Sequence, residues 1–247
     1  MIIDSHIHLM ETYGSMPGCT PDDLKAEFEK RGIVQAWAFT LKGFYGDCAG
    51  ENDKLKTLCD THPDMLLPFM TVNPRDEEKA IEEMERAYYE LGMKGLKVHG
   101  WCQSFSMTEP WFHEMCRKCI DLNIPLVVHD GTPPFTEPYQ ACYVAEKYPE
   151  LTIILAHAGL NDLWKEALYG AQRLNNIYLG TCSAPYYALK KIIEAVGSER
   201  ILYGSDGGFG DNRIMDNNLD KIYMLDLKED ELENILYKNA QRLLNDI

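Results

Sequence analysis

The chain has 247 residues, which suits one large domain or two small ones and allows a sizeable buried core. Its formal net charge is −15, from 24 basic and 39 acidic residues, and such a surface repels phosphate backbones, so nucleic acid is not an expected partner. No apolar stretch approaches the ~20 residues that span a bilayer, which excludes a membrane protein of the helical type.

Eight short apolar runs predict the strands of a parallel sheet, because strands covered on both faces are apolar along most of their length. In chain order they are IIDSHIH (2–8), IVQAWAF (33–39), LLPFMTV (66–72), GLKVHG (95–100), PLVVHD (125–130), TIILAH (152–157), NIYLGT (176–181) and ILYGSD (201–206). Helix-like segments follow them near residues 21–31, 50–61, 75–91, 109–122, 137–148, 161–173, 185–196 and 229–245.

The first helix has clear end signals in the sequence. Thr20 is a suitable N-cap, Pro21 fits the first turn, and the early acids favour the positive end of the helix dipole. Gly32 marks the expected end, directly after Arg31.

Eight strand–helix units in 247 residues take about 31 residues each, which is typical of a (β/α)8 TIM barrel. We therefore predict an α/β fold with a single barrel domain over residues 1–247. The alternative is a doubly wound open sheet, but the sequence contains nothing like the glycine-rich phosphate loop of that fold.

Polar residues cluster at the predicted strand ends, where the active sites of this fold lie. The strands end in His6 and His8, in Lys97 and His99, in His129, in His157 and in Asp206. Residues two apart on a strand point to the same face, so the two histidines of the first strand project together. Several imidazoles and a carboxylate at one barrel mouth predict a divalent metal site, for which Zn²⁺ is the expected ion and Fe, Mn, Co and Ni are the alternatives.

The same segments resemble the amidohydrolase superfamily, and within it the amidohydrolase-related branch, also called the amidohydrolase 2 group. The start IIDSHIH matches the Asp-x-His-x-His opening of that branch. GLKVHG, IPLVVHDGTP, IILAHAG and RILYGSDGGF are similar to its fourth, fifth, sixth and eighth strands, and NILYKNAQRLLN is similar to its closing helix. The resemblance covers the chain almost from end to end.

The resemblance implies a role for each matching residue. His6, His8, His129 and Asp206 correspond to metal ligands, and Asp206 also handles the proton of bound water. His157 corresponds to a residue that binds a second metal in binuclear relatives and is more often an acid or base in mononuclear ones. Lys97 lies near the place of a carbamylated lysine that bridges two metals, so one ion is expected, with a second possible if Lys97 is carbamylated.

Hydrolysis of a small amide, lactone or ester is the predicted reaction, because a metal-bound water is available as hydroxide near neutral pH. Asp206 would take its proton, and His157 would donate a proton or stabilise an oxyanion. The alternative is a metal-dependent, non-oxidative decarboxylase of an aromatic or muconate-like acid, which uses the same site. A barrel that binds metal and ligand without catalysis is the third hypothesis.

A small molecule is the expected partner, and aromatic residues after the strands favour a planar or apolar one. Trp101 and Phe105 are the candidates from the fourth-strand loop, although each aromatic residue alone is more often a packing residue. Lys97 and His99 lie on one strand face and are further substrate-binding candidates, Lys97 for an anionic substrate and His99 as a pocket-lining residue or a packed one. Arg213 is a candidate for a substrate carboxylate or for a surface ion pair. A homodimer is possible. With no signal peptide apparent, we expect a cytoplasmic protein whose eight cysteines are free thiols.

Overall fold

The computed structural model describes residues 1–9 and 12–245 of the chain. Two short strands, β2 and β3, pair as an antiparallel hairpin, and the other eight strands form parallel sheets. The strands are β1 (Ile2–His8), β2 (Thr12–Tyr13), β3 (Met16–Pro17), β4 (Ile33–Phe39), β5 (Leu66–Pro68), β6 (Leu96–Val98), β7 (Leu126–Val128), β8 (Ile153–Leu155), β9 (Ile177–Gly180) and β10 (Ile201–Leu202).

The eight parallel strands close into a barrel. Three of them pair in the order β1-β4-β5, and five pair in the order β6-β7-β8-β9-β10. A parallel bridge between Met70 and Leu96 joins β5 to β6, and a second one between Ile7 and Gly207 joins β1 to the segment after β10. Together with the structural comparisons below, this confirms the predicted (β/α)8 barrel.

Helices follow the barrel strands and cover their outer faces. They are α1 (Pro21–Arg31), α2 (Cys48–Cys59), α3 (Glu78–Tyr89), α4 (Gly100–Gln103), α5 (Pro110–Asp121), α6 (Pro138–Lys147), α7 (Trp164–Arg173), α8 (Tyr186–Val196), α9 (Arg213–Tyr223), α10 (Glu229–Glu233) and α11 (Asn239–Asn245). The segment predicted as one helix over 229–245 contains a π-helical turn, Asn234–Lys238, between α10 and α11. No helix in the described ranges is both long enough and apolar enough to cross a bilayer.

Helix α1 begins and ends where its sequence signals place it. The Asp23 N–H donates to Thr20 Oγ1 at 3.1 Å, and the Thr20 N–H donates to Asp23 Oδ2 at 3.1 Å, which forms a capping box. Gly32 follows the helix with φ of +71°, a left-handed conformation that glycine adopts without steric cost.

The lower barrel interior is filled by aromatic side chains, on which the polar strand ends rest. Trp37 stacks on Phe69 with ring centroids 4.8 Å apart, and Phe39 meets Phe69 edge-on at 5.4 Å. Phe39 also contacts the His6 ring at 4.9 Å. A packed apolar floor of this kind leaves the polar residues above it on rigid strands.

Candidate metal centre and active site

Three ligand-type side chains meet at the carboxyl end of the barrel. His6 and His8 are both buried and lie at the end of β1. Asp206 follows β10, and its backbone N–H donates to the His6 carbonyl oxygen at 2.9 Å, which fixes it beside β1. Asp206 has φ of +59°, a left-handed conformation that costs a non-glycine residue about 1–3 kcal/mol and is found mostly at functional sites.

The donor atoms of these three residues converge. His6 Nε2 and His8 Nε2 are 3.2 Å apart, and Asp206 Oδ1 lies 3.4 Å from the first and 3.2 Å from the second. Two ligand atoms bonded to one ion at ~2.1 Å lie roughly 3.0–3.4 Å apart at the bond angles of octahedral or tetrahedral sites. The three donors therefore fit a single divalent ion without rearrangement.

The protonation states also suit a metal centre. Burial lowers the pKa of His6 well below its usual value and lowers that of His8, so both rings are neutral and offer lone pairs. Burial alone would raise the pKa of Asp206, but the hydrogen bond from His8 and the electrostatic effects of His157, His8 and Lys97 lower it below its usual value. The set thus presents two imidazoles and one carboxylate, which first-row divalent ions bind well.

Three further imidazoles extend this cluster across the barrel mouth. The His157 ring centroid lies 5.2 Å from that of His6 and 4.2 Å from that of His129, and His129 stacks on His99 at 3.7 Å. Neither ring nitrogen of His157 has a hydrogen-bond partner among the described residues, although the side chain is buried. Burial lowers the pKa of His157 to about 4, so this ring too is neutral.

Lys97 is a buried lysine within the cluster. Its Nζ lies 3.4 Å from His6 Nε2 and 5.1 Å from the centroid of the Phe39 ring. No carboxylate oxygen of the described residues lies within 4.0 Å of Lys97 Nζ, the distance that would make an ion pair. Burial lowers the pKa of Lys97 to about 8, so the ammonium form still predominates near neutral pH, with a minor fraction of neutral amine.

A small cavity opens onto these groups. Its volume is about 110 Å³, smaller than the ~150 Å³ cavity that binds one benzene ring. The lining residues combine polar groups on one side with apolar and aromatic groups on the other. They are His8, Leu41, Tyr45, Lys97, His99, Cys102, His129, Asp206 and Phe209. Of the predicted substrate-binding residues, Lys97 and His99 thus face the cavity.

The other three predicted substrate-binding residues do not line this cavity. Phe105 is fully buried and stacks on Phe112 at 5.4 Å, so it belongs to the core. Trp101 lies on α4 and is 57% exposed, beside the cavity residue Cys102 but turned outward. Arg213 begins α9 with an 83% exposed side chain, and its guanidinium pairs with Asp211, so the surface ion pair is the correct alternative.

Two buried carboxylates hold the backbone segments that carry the site residues, a role that the sequence did not predict for them. Asp4 accepts the N–H groups of His6 at 3.1 Å and Ser205 at 2.9 Å, and so it joins β1 to the end of β10 rather than contacting a histidine ring. Asp130 does the same between β7 and β8, where it accepts the His157 N–H. The sequence feature that could have pointed to Asp130 is its position directly after His129 in VVHDG.

Solved structures of similar fold support this architecture. A 5-carboxyvanillate decarboxylase from Sphingomonas paucimobilis superposes with a TM-score of 0.77 at 16% identity, covering 99% of this chain and 98% of the other. A 2,6-dihydroxybenzoate decarboxylase complexed with 2,6-dihydroxybenzoate gives 0.75 at 17% identity with the same coverage. A Polaromonas dihydroxybenzoic acid decarboxylase with bound manganese and 2-nitroresorcinol gives 0.72 at 18%, covering 91% and 86%. At these identities the likeness shows the fold.

Sequence relatives point in the same direction. A gamma-resorcylate decarboxylase from a Rhizobium species is 23% identical, over 78% of this chain and 74% of the relative. A second one, from a Polaromonas species, is 24% identical over the same shares. These names contradict the predicted hydrolysis, which is wrong as the leading reaction, and favour the decarboxylase alternative. Hydrolysis and decarboxylation need the same metal donors, so the donor residues alone did not separate them.

One family model covers nearly the whole chain. The Amidohydro_2 model, described as Amidohydrolase, matches residues 3–245, from within β1 to the end of α11. This family is metal-dependent, in agreement with the donor cluster of His6, His8 and Asp206. The chain belongs to the amidohydrolase family.

Proposed function

We propose that this chain, as a single catalytic domain, is a metal-dependent, non-oxidative decarboxylase of a small hydroxylated aromatic carboxylic acid. The observation that carries the proposal is the convergence of the His6, His8 and Asp206 donor atoms at a cavity that also contains Lys97. The decarboxylase names of the relatives support the reaction.

The proposed cofactor is one divalent first-row ion, held by His6, His8 and Asp206 with His129 as a further ligand. The mixed nitrogen and oxygen donors suit Zn²⁺, the ion expected from the sequence, and also Mn²⁺, which a similar structure contains. When bound, the ion would polarise the carboxylate and phenol oxygens of the substrate.

The charge of the substrate explains why Lys97 lies in the cavity wall. Among the lining residues it is the single lysine or arginine, and no carboxylate of the described residues lies within ion-pair distance of its Nζ, so a substrate carboxylate could pair with it directly. Leu41 and Phe209 form an apolar side of the same cavity, against which an aromatic ring would exclude water. We therefore assign carboxylate binding to Lys97.

Decarboxylation also needs a proton at the ring carbon. The bond to the carboxyl carbon breaks, the ring carbon keeps the electron pair and takes the proton, and CO₂ leaves. We assign the delivery of this proton to His157, whose neutral ring would first take a proton from solvent or from a substrate hydroxyl group and then pass it to the ring carbon. Both of its ring nitrogens lack partners among the described residues, and its ring neighbours those of His6 and His129. Asp206 would then act mainly as a ligand.

One observation favours a centre that holds two metal ions instead of one. The His129 and His157 rings lie 4.2 Å apart and offer a second pair of nitrogen donors, and Lys97, which lies beside His6, would add the oxygens of a carbamate. A carbamylated Lys97 would join the two groups. Metal analysis with and without added bicarbonate distinguishes one ion per chain from two.

The His157→Gln variant tests the role of His157. If it supplies the proton, turnover falls by about 10²–10⁴-fold while the metal content per chain is unchanged. If it binds a second ion, the metal content falls by one ion per chain as well. Turnover and metal content both equal to those of the unsubstituted protein would contradict any role of His157 at the centre.

The reaction itself is tested with a panel of substrates on protein loaded with Mn²⁺ or Zn²⁺. We expect release of CO₂ from 2,6-dihydroxybenzoate, 5-carboxyvanillate or a related hydroxylated aromatic acid, and loss of that release with a chelator. Lactones and simple esters serve as the matched comparison. Hydrolysis of these compounds without any release of CO₂ from the acids would overturn the proposal.

A further inference from the structure

Asp130 is a buried carboxylate with two backbone donors and no place in the mechanism so far. It follows the candidate ligand His129 at the end of β7. Its Oδ1 accepts the N–H of His157 at 2.8 Å, and its Oδ2 accepts the N–H of Gly159 at 2.6 Å. Both carboxylate oxygens are therefore used to hold the segment that carries His157, 27 residues away along the chain.

The segment held in this way has an unusual backbone. Three consecutive residues directly after His157 are left-handed, with φ of +46° at Ala158, +86° at Gly159 and +53° at Leu160. Such conformations are costly for alanine and leucine and persist only when surrounding contacts impose them. The two hydrogen bonds to Asp130 are contacts of this kind, at the first and third residues of the turn 157–160.

The packing around the turn leaves little freedom on its other side. A Cβ on Gly131 would lie 2.9 Å from the Gly159 carbonyl carbon, and a Cβ on Gly159 would lie 2.3 Å from the Leu163 carbonyl oxygen. The backbone after Asp130 and the turn after His157 are thus in close contact. Because these two segments are in direct contact, a change at Asp130 displaces the segment that carries His157.

We propose that Asp130 is the positioning residue of His157: its carboxylate fixes the left-handed turn and thereby holds the His157 ring between those of His6 and His129. The effect on turnover rests on the catalytic role proposed above for His157. The effect on the position of the ring does not, since the ring can be observed without any reaction.

The test is the Asp130→Asn variant of the metal-loaded protein. An amide keeps one acceptor oxygen but turns an NH₂ group toward one of the two backbone donors, so the turn loses one of its hydrogen bonds. We expect kcat to fall by about 100-fold, the effect of a displacement near 1 Å, with KM and metal content little changed. The NMR signals of the His157 ring, assigned by their absence in His157→Gln, should shift.

A second variant keeps the test informative if Asp130→Asn is poorly folded. Glycine adopts left-handed conformations at little cost, so Ala158→Gly should have almost no effect alone but should restore part of the kcat lost in Asp130→Asn. Asn239→Ala serves as the control for general destabilisation, since Asn239 makes two buried hydrogen bonds to Ser198 and Ile201 at the opposite barrel end. That control should leave the kcat of the folded protein unchanged.

The outcomes separate this inference from the proposed function. Unshifted His157 signals in Asp130→Asn would overturn the positioning role, and so would shifted signals that Ala158→Gly does not move back toward their original positions. If the His157 signals shift in Asp130→Asn and move back when Ala158→Gly is added, while kcat is unchanged throughout, the result supports positioning and refutes the catalytic role of His157. Shifted signals with a reduced and rescued kcat support both.

Discussion

Replacing His8 by alanine is expected to abolish metal binding and, with it, turnover. His8 Nε2 lies 3.2 Å from both His6 Nε2 and Asp206 Oδ1, so the substitution removes one of the three converging donors. Loss of a residue that only orients a ligand costs 10–100-fold in metal affinity, and we expect loss of a ligand to exceed about 100-fold. Metal analysis after dialysis and assays of CO₂ release measure the two effects.

The barrel should survive the His8→Ala substitution. The ring lies at the end of β1, above the aromatic floor of Trp37, Phe39 and Phe69, which is untouched. The matched control is His62→Ala, because His62 is a surface residue paired with Asp22 at 2.8 Å. A His8→Ala protein that folds and retains the metal at the original affinity would show that the ligand assignment is wrong.

Replacing Lys97 by methionine is expected to lower kcat/KM by about 100-fold while making the protein more stable. Methionine has nearly the length of lysine but no charge, so the cavity loses its cation with little change in packing. Burial disfavours the ammonium, as the lowered pKa of about 8 shows, and removing buried charges in favour of apolar groups often stabilises a protein by about 1–4 kcal/mol. Such a trade of stability for activity is common at functional sites.

Thermal unfolding and steady-state kinetics on the same samples test this pair of effects. The control is Lys221→Met, a partly buried lysine that donates to the Ala184 carbonyl oxygen and does not line the cavity. It should change stability without changing turnover. A Lys97→Met protein with undiminished kcat/KM would rule out both the carboxylate-binding role and the carbamylated bridge.

The sequence predicted the barrel wall and the position of its polar ends well. The runs 2–8 and 33–39 coincide with β1 and β4, because apolar strands with definite turns at both ends carry strong patterns. Later strands are shorter than predicted. Strand β5 ends at Pro68 and is followed by a single bridge at Met70, and β10 has two residues. Helix α9 was not predicted from the sequence. Its residues Met215, Leu219 and Ile222 have helical spacing, but the eight predicted strand–helix units already accounted for the chain.

Side chains in the loops were harder to place than those on strands. Phe105 follows the fourth predicted strand, yet the left-handed Ser104 turns the chain so that Phe105 packs against Phe112 in the core. The importance of Asp130 depends on backbone donors in another strand–helix unit, which no local pattern reveals. The reaction was mistaken for a related reason: the donor set is shared by hydrolases and decarboxylases, and the substrate-contacting loops decide between them.

The most direct test of the metal centre is an anomalous difference map from crystals of the protein loaded with Mn²⁺. We expect one strong peak among His6 Nε2, His8 Nε2 and Asp206 Oδ1, or two peaks if Lys97 is carbamylated. We also expect that the peak disappears in His8→Ala crystals. Protein that releases CO₂ from its substrate but shows no peak at these three atoms would show that the metal centre lies elsewhere.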